Sequence, residues 1–493
     1  MTTNEMTGYK KTRDTAAYVL LALAVGAAVG AFVAGQPGVL LTVGLVAAAL
    51  AAVTIVARVE AGLVVLLFIS YLRVSDVLIT NFNAPSIFRP FVAFLGLIIL
   101  VRWIRYGMRD RSWIRAAVLV GVYGVVVFLS LIYANDFERA QAAFSDFWKD
   151  GVLTVLIVIL MQRPASFRLA MWALIAAGIV MSTLSVVQYL TGDFGNNFYG
   201  FAQAGFQNIY GETDDYRIAG PVGDPNFYAQ IILTLIPLAV NRFLYEKNLV
   251  LKLAALYAMV AMSLTVVFTF SRGAALAFAV VVLLLLAYRR LRSGTVAAGL
   301  IVFVVVAQFI PALYVDRLFT VVEVARGSGD VKDEVSLRGR ASEAIVAYQM
   351  FRDNPLFGVG VGNYPRLYQT YSRPLGLDPR TEERQAHNLY LEVAAETGLF
   401  GLTVFLLILL AIFRGLWRAH AIFSRERNDE MAAAVAMFTF GFIGYLTAAM
   451  FIHGAYIRYF WLLAGMALAL PAVARSFQAE RRLIREKGMR QRD

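Results

Sequence analysis

Three polar motifs interrupt long apolar stretches of the chain, and each contains a residue suited to phosphate or proton chemistry. Arg217 lies just upstream of an Asp-Pro-Asn motif, Arg272 lies inside Ser-Arg-Gly, and His387 opens a His-Asn pair. Arginine stays charged, and its planar fork of donors matches phosphate oxygens, so the two arginines predict a diphosphate clamp. Neutral imidazole accepts a proton near physiological pH, which makes His387 a candidate general base.

Each of these residues also has a plain structural interpretation. Arg272 would be a helix-end arginine that reaches lipid headgroups, although a positive charge in so short an apolar turn favours a function. Arg217 would form a salt bridge with Asp214 or Asp215, which leaves its role open. His387 would be a helix cap bonded to backbone, and its position alone favours that interpretation.

Five further polar residues are expected to support the site. Asn226, Ser271 and Asn388 stand in the same motifs, and Glu392 and Glu396 follow on one face of an apolar helix. A buried carboxylate is costly unless it is paired or functional. A transporter would use such a pair as a proton relay. We favour a structural role, in which the two acids pair with an arginine and hold the site together.

Composition argues against metal, cofactor and nucleic-acid chemistry. The chain has no cysteine and three histidines, and it lacks both a Walker sequence and a His-Glu-x-x-His motif. The acidic cluster of Glu212, Asp214 and Asp215 lacks an Asp-x-Asp spacing and is typical of a solvated loop, while His420 and His453 look structural. The net charge of +12 is explained by basic cytoplasmic loops rather than by nucleic acid. We therefore expect no metal and no cofactor.

The elements that position these motifs are membrane helices. Hydrophobic residues make up 59% of the chain and charged residues 16%, with a mean hydropathy of +0.66, so the apolar excess must face lipid. A span needs roughly 20 apolar residues. The sequence predicts an all-α integral membrane protein with about 14 spans (12–14), at 16–33, 38–57, 61–74, 87–101, 116–133, 151–161, 169–190, 226–244, 249–270, 273–288, 296–313, 388–413, 432–451 and 456–474.

Charge predicts the orientation of these spans. Basic residues concentrate in alternate loops, which places both termini in the cytoplasm and all three motifs on the extracytoplasmic side. We expect four regions: transmembrane helices 1–11 in residues 1–313, with an outer loop at 191–223; a partly helical extracytoplasmic cap at 314–386; helices 12–14 in 387–474; and a basic cytoplasmic tail at 475–493.

Two stretches outside the spans also carry helical patterns. In the cap, residues 340–352 have apolar side chains at helical spacing and are followed by Asp353-Asn354-Pro355 and a glycine-rich turn. Residues 137–149 mix aromatic and charged side chains, which predicts a separate helix at the membrane surface.

The stretch from His387 to Gly401 resembles the signature of the O-antigen ligase and Wzy-type polymerase superfamily. In that signature a histidine and an amide precede Gly-x-x-Gly, here Gly398 and Gly401, and Glu396 also fits. The Ser-Arg-Gly turn, Arg217 before Asp-Pro-Asn, and Asn-Pro-Leu-Phe-Gly-Val-Gly from residue 354 look like further landmarks, in the expected order. The departure is Leu402, where the ligase form has Thr or Val.

The resemblance implies a GT-C-like glycosyltransferase in the bacterial cytoplasmic (inner) membrane that uses a glycan on undecaprenyl diphosphate. By that resemblance Arg217 and Arg272 hold the donor diphosphate, and His387 takes the proton of an acceptor hydroxyl, which attacks the anomeric carbon with inversion. The implied partners are this lipid-linked glycan, a glycan or lipid-anchored acceptor, and membrane lipids. A chain-length regulator is a further candidate partner.

Three alternatives to a polymerase remain open at this stage. A polymerase joins lipid-linked repeats, whereas a ligase passes finished glycan to lipid A core or another anchor. Leu402 and the number of spans favour the polymerase. A secondary transporter or flippase would use Glu392 and Glu396 for coupling, but it would also need broken mid-membrane helices and matching halves, which the sequence lacks. A non-catalytic scaffold would leave the Arg272 turn and the His387 motif unexplained.

Overall fold

A computed structural model describes residues 52–107, 111–209, 213–288, 299, 302, 304–309, 331–377, 382–454 and 457–490. The predicted span 16–33, and most of the predicted spans 38–57 and 296–313, lie outside these residues.

Helices dominate the described ranges, with one antiparallel hairpin between the sixth and seventh helices. In chain order the elements are α1 Val59–Tyr71, α2 Val74–Phe82, α3 Phe88–Tyr106, α4 Ser112–Ser130, α5 Phe137–Leu160, α6 Pro164–Thr191, β1 Gln203–Ile209, β2 Thr213–Gly220, α7 Pro225–Leu233, α8 Ile236–Tyr245, α9 Leu249–Phe268, α10 Arg272–Ala287, α11 Val331–Asp353, α12 Tyr364–Ser372, α13 Leu389–Arg425, α14 Asp429–Ala448 and α15 Arg458–Arg490.

The protein is a multi-pass membrane protein. Within the described residues, seven helices are long and apolar enough to cross a membrane, and α1 with α2, bent by 49°, would make an eighth. The seven are Ser112–Tyr133, Pro164–Thr191, Pro225–Tyr245, Leu249–Phe268, Leu389–Arg425, Asp429–Ala448 and Arg458–Glu486. The helical membrane architecture is therefore confirmed, while the count of fourteen spans and the GT-C-like arrangement stay predictions.

The structure corrects two details of the sequence prediction. The predicted surface helix 137–149 and the predicted span 151–161 form one continuous helix, α5. Asp136 starts it by accepting a hydrogen bond from the Arg139 N–H at 3.2 Å. Its Gly151 packs so closely on α4 that an added Cβ would lie 2.8 Å from Val120. The fold is also not all-α as predicted, because the outer loop 191–223 contains the β1–β2 hairpin.

The last helix also extends beyond its predicted span. α15 runs without a break from Arg458 to Arg490 and includes Pro471, so residues 475–490 of the predicted basic tail continue the helix. On this extension Arg485 pairs with Glu426 at 2.9 Å.

The described chain divides into two compact units: residues 52–66 with 89–107, and the described residues of 67–88 and 111–490. In the first unit, Gly62 packs against Leu95, whose Cδ2 would lie 2.4 Å from an added Cβ. The Arg102 side chain donates to the carbonyl oxygen of Val56 at 3.3 Å.

The second unit is centred on aromatic side chains from four helices. Phe147 of α5 meets Trp461 of α15 edge-on, with ring centroids 5.1 Å apart, and Tyr123 of α4 lies 5.5 Å from Phe147. Phe405 of α13 lies 6.2 Å from Tyr123. Burial of such rings removes a large apolar area from solvent, and edge-on geometry adds about 1 kcal/mol per pair. This core packs α13 against α4 and α15, and the first turn of α13 follows closely on His387.

A smaller core forms the cap, where α11 and α12 pack on the start of α13. Val346, Met350, Tyr364 and Tyr368 are almost wholly buried in it. The helix predicted at 340–352 is present as part of α11, but two of its predicted apolar positions, Ile345 and Tyr348, are 45% and 60% exposed. The buried face consists instead of Ser342, Glu343, Val346, Ala347 and Met350.

The loop of residues 358–362, between α11 and α12, contains three glycines and packs against α13. It is called the glycine loop below. Gly358 has a φ of 70°, and an added Cβ would lie 2.3 Å from the Glu396 carbonyl carbon. The loop amides of Val359 and Gly360 donate to the carbonyl oxygens of Ala395 and Glu396. Opposite the loop, α13 is interrupted at Gly398, with φ 63° and ψ −160°. Only glycine combines this backbone with so close an approach.

Candidate active site

The three motifs found in the sequence are helix starts. Asp224 caps α7 by accepting from the Phe227 N–H at 2.8 Å, and Ser271 caps α10 by accepting from the Ala274 N–H at 3.4 Å. Asn388 caps α13 by accepting from the N–H groups of Tyr390 and Leu391. A helix N-terminus carries partial positive charge, so each start favours an anion nearby.

Arg217 is buried between two of these starts. It lies on β2, is 6% exposed, and donates from Nε to the carbonyl oxygen of Thr269 at 2.7 Å. Its Nη2 donates to Oδ1 of Asn226 at 3.1 Å. The side chains of Asp214 and Asp215 lie outside the described residues. Arg217 therefore ties the hairpin to α7 and to the turn before α10.

A small pocket opens beside the Arg217 side chain, with a cavity volume of about 10 Å³, which is the space of roughly one water molecule. Its lining includes Asn226, Ser271, Gly273, Arg340, Phe451 and Ile452. The first three come from the predicted motifs. Arg340 comes from the cap helix α11, and it donates to the carbonyl oxygen of Phe451 at 3.3 Å.

Arg340 lines this pocket, and Arg272 lies close enough to act on the charge of Arg340. Arg272 begins α10 between the lining residues Ser271 and Gly273. Burial lowers the pKa of Arg340, and the positive charge of Arg272 lowers it further, whereas Glu343 and Asp224 act in the opposite direction. Two mutually repelling guanidinium groups at one pocket are stabilised by an anion between them.

His387 stands one residue before the cap of α13, in a left-handed backbone conformation with a φ of 43°. Its Nδ1 lies 2.9 Å from Oε2 of Glu343 and 3.1 Å from the carbonyl oxygen of Gln385. Glu343 is fully buried on α11, and its Oε1 pairs with Nη2 of Arg384 at 2.8 Å. The helix that brings Arg340 to the pocket thus also brings Glu343, three residues later, to the imidazole.

The segment 449–454, which follows α14, connects the pocket to His387. Phe451 and Ile452 line the pocket, and the carbonyl oxygen of Ala449 accepts a hydrogen bond from the Leu389 N–H at 2.9 Å. The ring of His453 lies edge-on to His387, with centroids 5.5 Å apart. Burial and, to a smaller extent, the neighbouring His387 lower the pKa of His453 to about 4, while Asp224 and Glu343 act in the opposite direction.

Glu392 and Glu396 hold backbone in place around the site. Glu392 accepts from the Gly454 N–H at 2.7 Å, which fixes the segment with His453. Glu396 accepts from the N–H groups of Gly362 and Tyr364 at 2.8 and 3.1 Å, which fixes the glycine loop. Satisfied carboxylates of this kind, 8% and 1% exposed, favour the structural interpretation over a proton relay.

Residues 257–406 match a family model. The family is described as O-Antigen ligase. No curated protein matches the chain. The match confirms the resemblance to the superfamily of O-antigen ligases and polymerases, and it indicates activity of that type on a lipid-linked glycan and an acceptor.

The matched segment includes most of the site, from Arg272 through Arg340, Glu343 and His387 to Glu396. Arg217 and the segment 449–454 lie outside the matched residues. Arg217 contacts the matched segment through its hydrogen bond to Thr269, and Gly454 contacts it through its hydrogen bond to Glu392.

The structure brings most of the predicted site residues together. Arg217, Asn226, Ser271 and Arg272 meet at or beside the pocket, and His387, Asn388 and Glu392 border it through the segment 449–454. Glu396 is the one predicted residue whose contacts lead to the glycine loop instead. Among the described residues, no cluster of three or more acidic or histidine side chains could hold a metal ion.

Sequence reasoning missed three residues of this site and gave a fourth only a structural role. Arg340 and Glu343 stand three apart on the cap helix, a spacing that places both on one face and that could have been noticed. Arg384 stands three residues before His387. His453 looked structural in a short turn, and nothing local connects it to His387, 66 positions earlier.

Proposed function

We propose that this protein is a membrane glycosyltransferase that moves a glycan from undecaprenyl diphosphate to an acceptor hydroxyl, most often the end of another repeat unit. The observation that carries the proposal is the pocket between the starts of α7 and α10, which Arg340 lines and where the charge of Arg272 acts on Arg340. The cap helix that carries Arg340 also carries Glu343, the buried carboxylate that contacts His387. The proposed reaction is inverting and metal-independent, and it takes place on the outer face of the cytoplasmic membrane.

A diphosphate is larger than this cavity and would therefore lie at its open side, where three features favour it. Arg272 and Arg340 supply charge, Arg217 holds the Asn226 amide in place, and two helix N-termini point partial positive charge at the same space. The diphosphate gains negative charge as the bond to the sugar breaks, so fixed cations stabilise the transition state more than the ground state. Removal of one such contact costs on the order of 3 kcal/mol, about a hundredfold in rate.

His387 supplies the proton acceptor. As the acceptor oxygen attacks the anomeric carbon, the bond from that carbon to the diphosphate oxygen breaks, and the acceptor's proton moves to the imidazole. The diphosphate leaves as the dianionic end of the lipid carrier, and the imidazolium later releases its proton to solvent. No nucleotide sugar and no cofactor take part.

The polymerase assignment rests on Leu402, where the ligase form of the signature has Thr or Val, and on the predicted number of spans. The outer-face location rests on the alternation of basic loops along the sequence. Both a ligase and a polymerase would use the same donor pocket and the same base, so the acceptor distinguishes them. A chain-length regulator would act on the polymerase alone.

The test is to incubate purified protein with an undecaprenyl-diphosphate-linked repeat unit, with and without EDTA, and with and without a lipid A core acceptor. A ladder of longer products is expected in both EDTA conditions. Product only on the added core would identify a ligase. Loss of all activity with EDTA would contradict the metal-independent mechanism, and no consumption of the donor under any condition would contradict the proposed function.

A further inference from the structure

The carboxylate of Glu343 is buried between two partners and has one oxygen for each. Its side chain is 1% exposed, Oε1 receives the Arg384 guanidinium at 2.8 Å, and Oε2 lies 2.9 Å from Nδ1 of His387. A buried carboxylate is costly unless its oxygens are paired. Here both partners come from the short segment that leads into α13.

The neighbours of Nδ1 determine which ring nitrogen carries the proton. The Glu343 carboxylate and the Gln385 carbonyl, at 2.9 and 3.1 Å, are both hydrogen-bond acceptors. Nδ1 must therefore be the donor, which leaves Nε2 of the neutral ring with a free lone pair. A ring in the other tautomer would place two acceptors against an unprotonated nitrogen.

The backbone also restricts the ring. A histidine with a φ of 43° is strained, and such strain persists only where the surroundings hold it. The next residue, Asn388, donates from its side chain to the carbonyl oxygen of Met450 at 3.1 Å, and the Leu389 amide donates to Ala449. The ring is thus fixed from the main-chain side as well as by Glu343.

We propose that Glu343 is the positioning residue for His387: it holds Nδ1–H, selects the tautomer in which Nε2 accepts the proton, and stabilises the imidazolium that forms. This inference rests on the proposed function. The acceptor's O–H bond breaks as its proton goes to Nε2, and Nδ1–H stays bonded to the carboxylate throughout. Arg384 pairs with the other oxygen of the carboxylate at 2.8 Å.

The other charged or titratable groups near this pair come from four elements. They are Arg384 in the segment before α13, Arg340 on α11, His453 in the segment after α14, and Tyr364 of α12, whose hydroxyl donates to the main-chain carbonyl of Glu343 at 2.7 Å. Asp224, the cap of α7, acts on His453 and Arg340. In the described part of the chain, Glu343 is the carboxylate that contacts the ring of His387, at 2.9 Å.

The first experiment compares Glu343→Gln with Glu383→Gln in the full-length protein. Glu383 is the matched control, because this cap residue also forms an ion pair, with Arg139 of α5 at 2.8 Å, but it is exposed.

Glutamine keeps an acceptor for Nδ1–H and removes the charge. E343Q should lower kcat about a hundredfold with KM within about threefold, and its acid limb should move to lower pH because the imidazolium loses its counter-charge. E383Q should match wild type.

The second experiment identifies the tautomer of His387 by ¹⁵N NMR, a measurement that does not depend on turnover. The chain has three histidines, so ¹⁵N-histidine labelling gives few signals, and His387→Gln assigns the one of interest. Wild type should show Nδ1–H and an unprotonated Nε2 at high pH. Glu343→Ala, which also removes the acceptor, should show a mixture of tautomers, and it should do so in folded protein even where activity is lost.

The outcomes separate this inference from the proposed function. A wild-type kcat and pH profile in E343Q, or an unchanged tautomer in E343A, would overturn the role of Glu343. If H387Q were inactive in the same experiments, the role of His387 as general base would still stand. Full activity of H387Q would instead contradict the role of His387 as the general base. A stability loss in E343Q with no change in kcat or pH profile would identify a purely structural carboxylate and would also overturn the inference.

Discussion

The guanidinium of Arg217 bonds at once to the Asn226 amide oxygen at 3.1 Å and to the Thr269 carbonyl oxygen at 2.7 Å. Those acceptors belong to the start of α7 and to the end of α9, so one side chain connects Asn226, which lines the pocket, to the turn that precedes α10. An arginine reaches both because its nitrogens are held in a rigid fork.

The first prediction concerns this fork. Arg217→Lys keeps the charge but offers one ammonium for two acceptors, so we expect kcat/KM for the lipid-linked donor to fall at least about thirtyfold, or 2 kcal/mol. Arg139→Lys, at an exposed ion pair, is the matched control and should stay within about twofold of wild type. An R217K enzyme with wild-type kcat/KM would show that the Arg217 fork does not shape the pocket.

The second prediction tests Arg340 as a cation of the pocket. Arg340→Gln should weaken inhibition by inorganic pyrophosphate by about tenfold or more, because the pocket loses one of two adjacent guanidiniums. Arg352→Gln, on the same helix at an exposed site beside Asp353, should leave the inhibition constant unchanged. Equal inhibition of R340Q and R352Q would place the anion elsewhere.

The third prediction concerns pH and His453. Burial lowers the pKa of His453 to about 4, below the value of about 6.5 in an unfolded chain. The unfolded state then binds more protons between these values, so stability is full above about pH 6.5 and falls as pH decreases towards 4, by at most about 3 kcal/mol. Thermal unfolding of wild type and His453→Gln at pH 7.5 and 5 measures the difference.

We expect the decrease in Tm between these pH values to be smaller in H453Q than in wild type. His420→Gln, in the long helix α13, serves as the control and should keep the wild-type decrease. An equal decrease in all three proteins would show that His453 is not the group that titrates.

The fourth prediction tests the glycine loop. Gly358→Ala would place a methyl group 2.3 Å from the Glu396 carbonyl carbon, whereas Gly376→Ala, at a similar φ of 63°, meets nothing within 4 Å. Both variants strain the backbone by roughly 1 kcal/mol, and only G358A adds a clash. G358A should therefore lower Tm clearly more than G376A and reduce turnover. Equal effects would mean that the loop moves freely away from α13.

Local signals explain how much of the site could be predicted. Asp224, Ser271 and Asn388 cap helices within three residues of their own position, so the motifs could be recognised from short patterns. Glu343 meets His387 across 44 residues, and His453 meets it across 66. Such contacts depend on how the cap folds over the helices, which no short pattern encodes.

The fold likewise contains features that local patterns predict and features that they do not. Hydropathy located most helices, because a membrane span needs a long apolar run. Hydropathy predicted the wrong buried face for α11. Ile345 and Tyr348 have the apolar spacing of a core face but are exposed, because the spacing of apolar residues does not determine which element they pack against. The hairpin of residues 203–220 was missed because its pairing, Gly205 opposite Arg217 for example, lies among Gly, Asn and Gln residues with little alternation.

The most direct test of the whole account measures donor binding and turnover separately in Arg272→Gln and His387→Gln, with an undecaprenyl-diphosphate-linked repeat unit as donor. We predict that R272Q loses donor affinity about tenfold or more and loses turnover, and that H387Q binds the donor with an affinity within about threefold of wild type but forms no longer products. A product ladder made by H387Q at the wild-type rate would contradict the account.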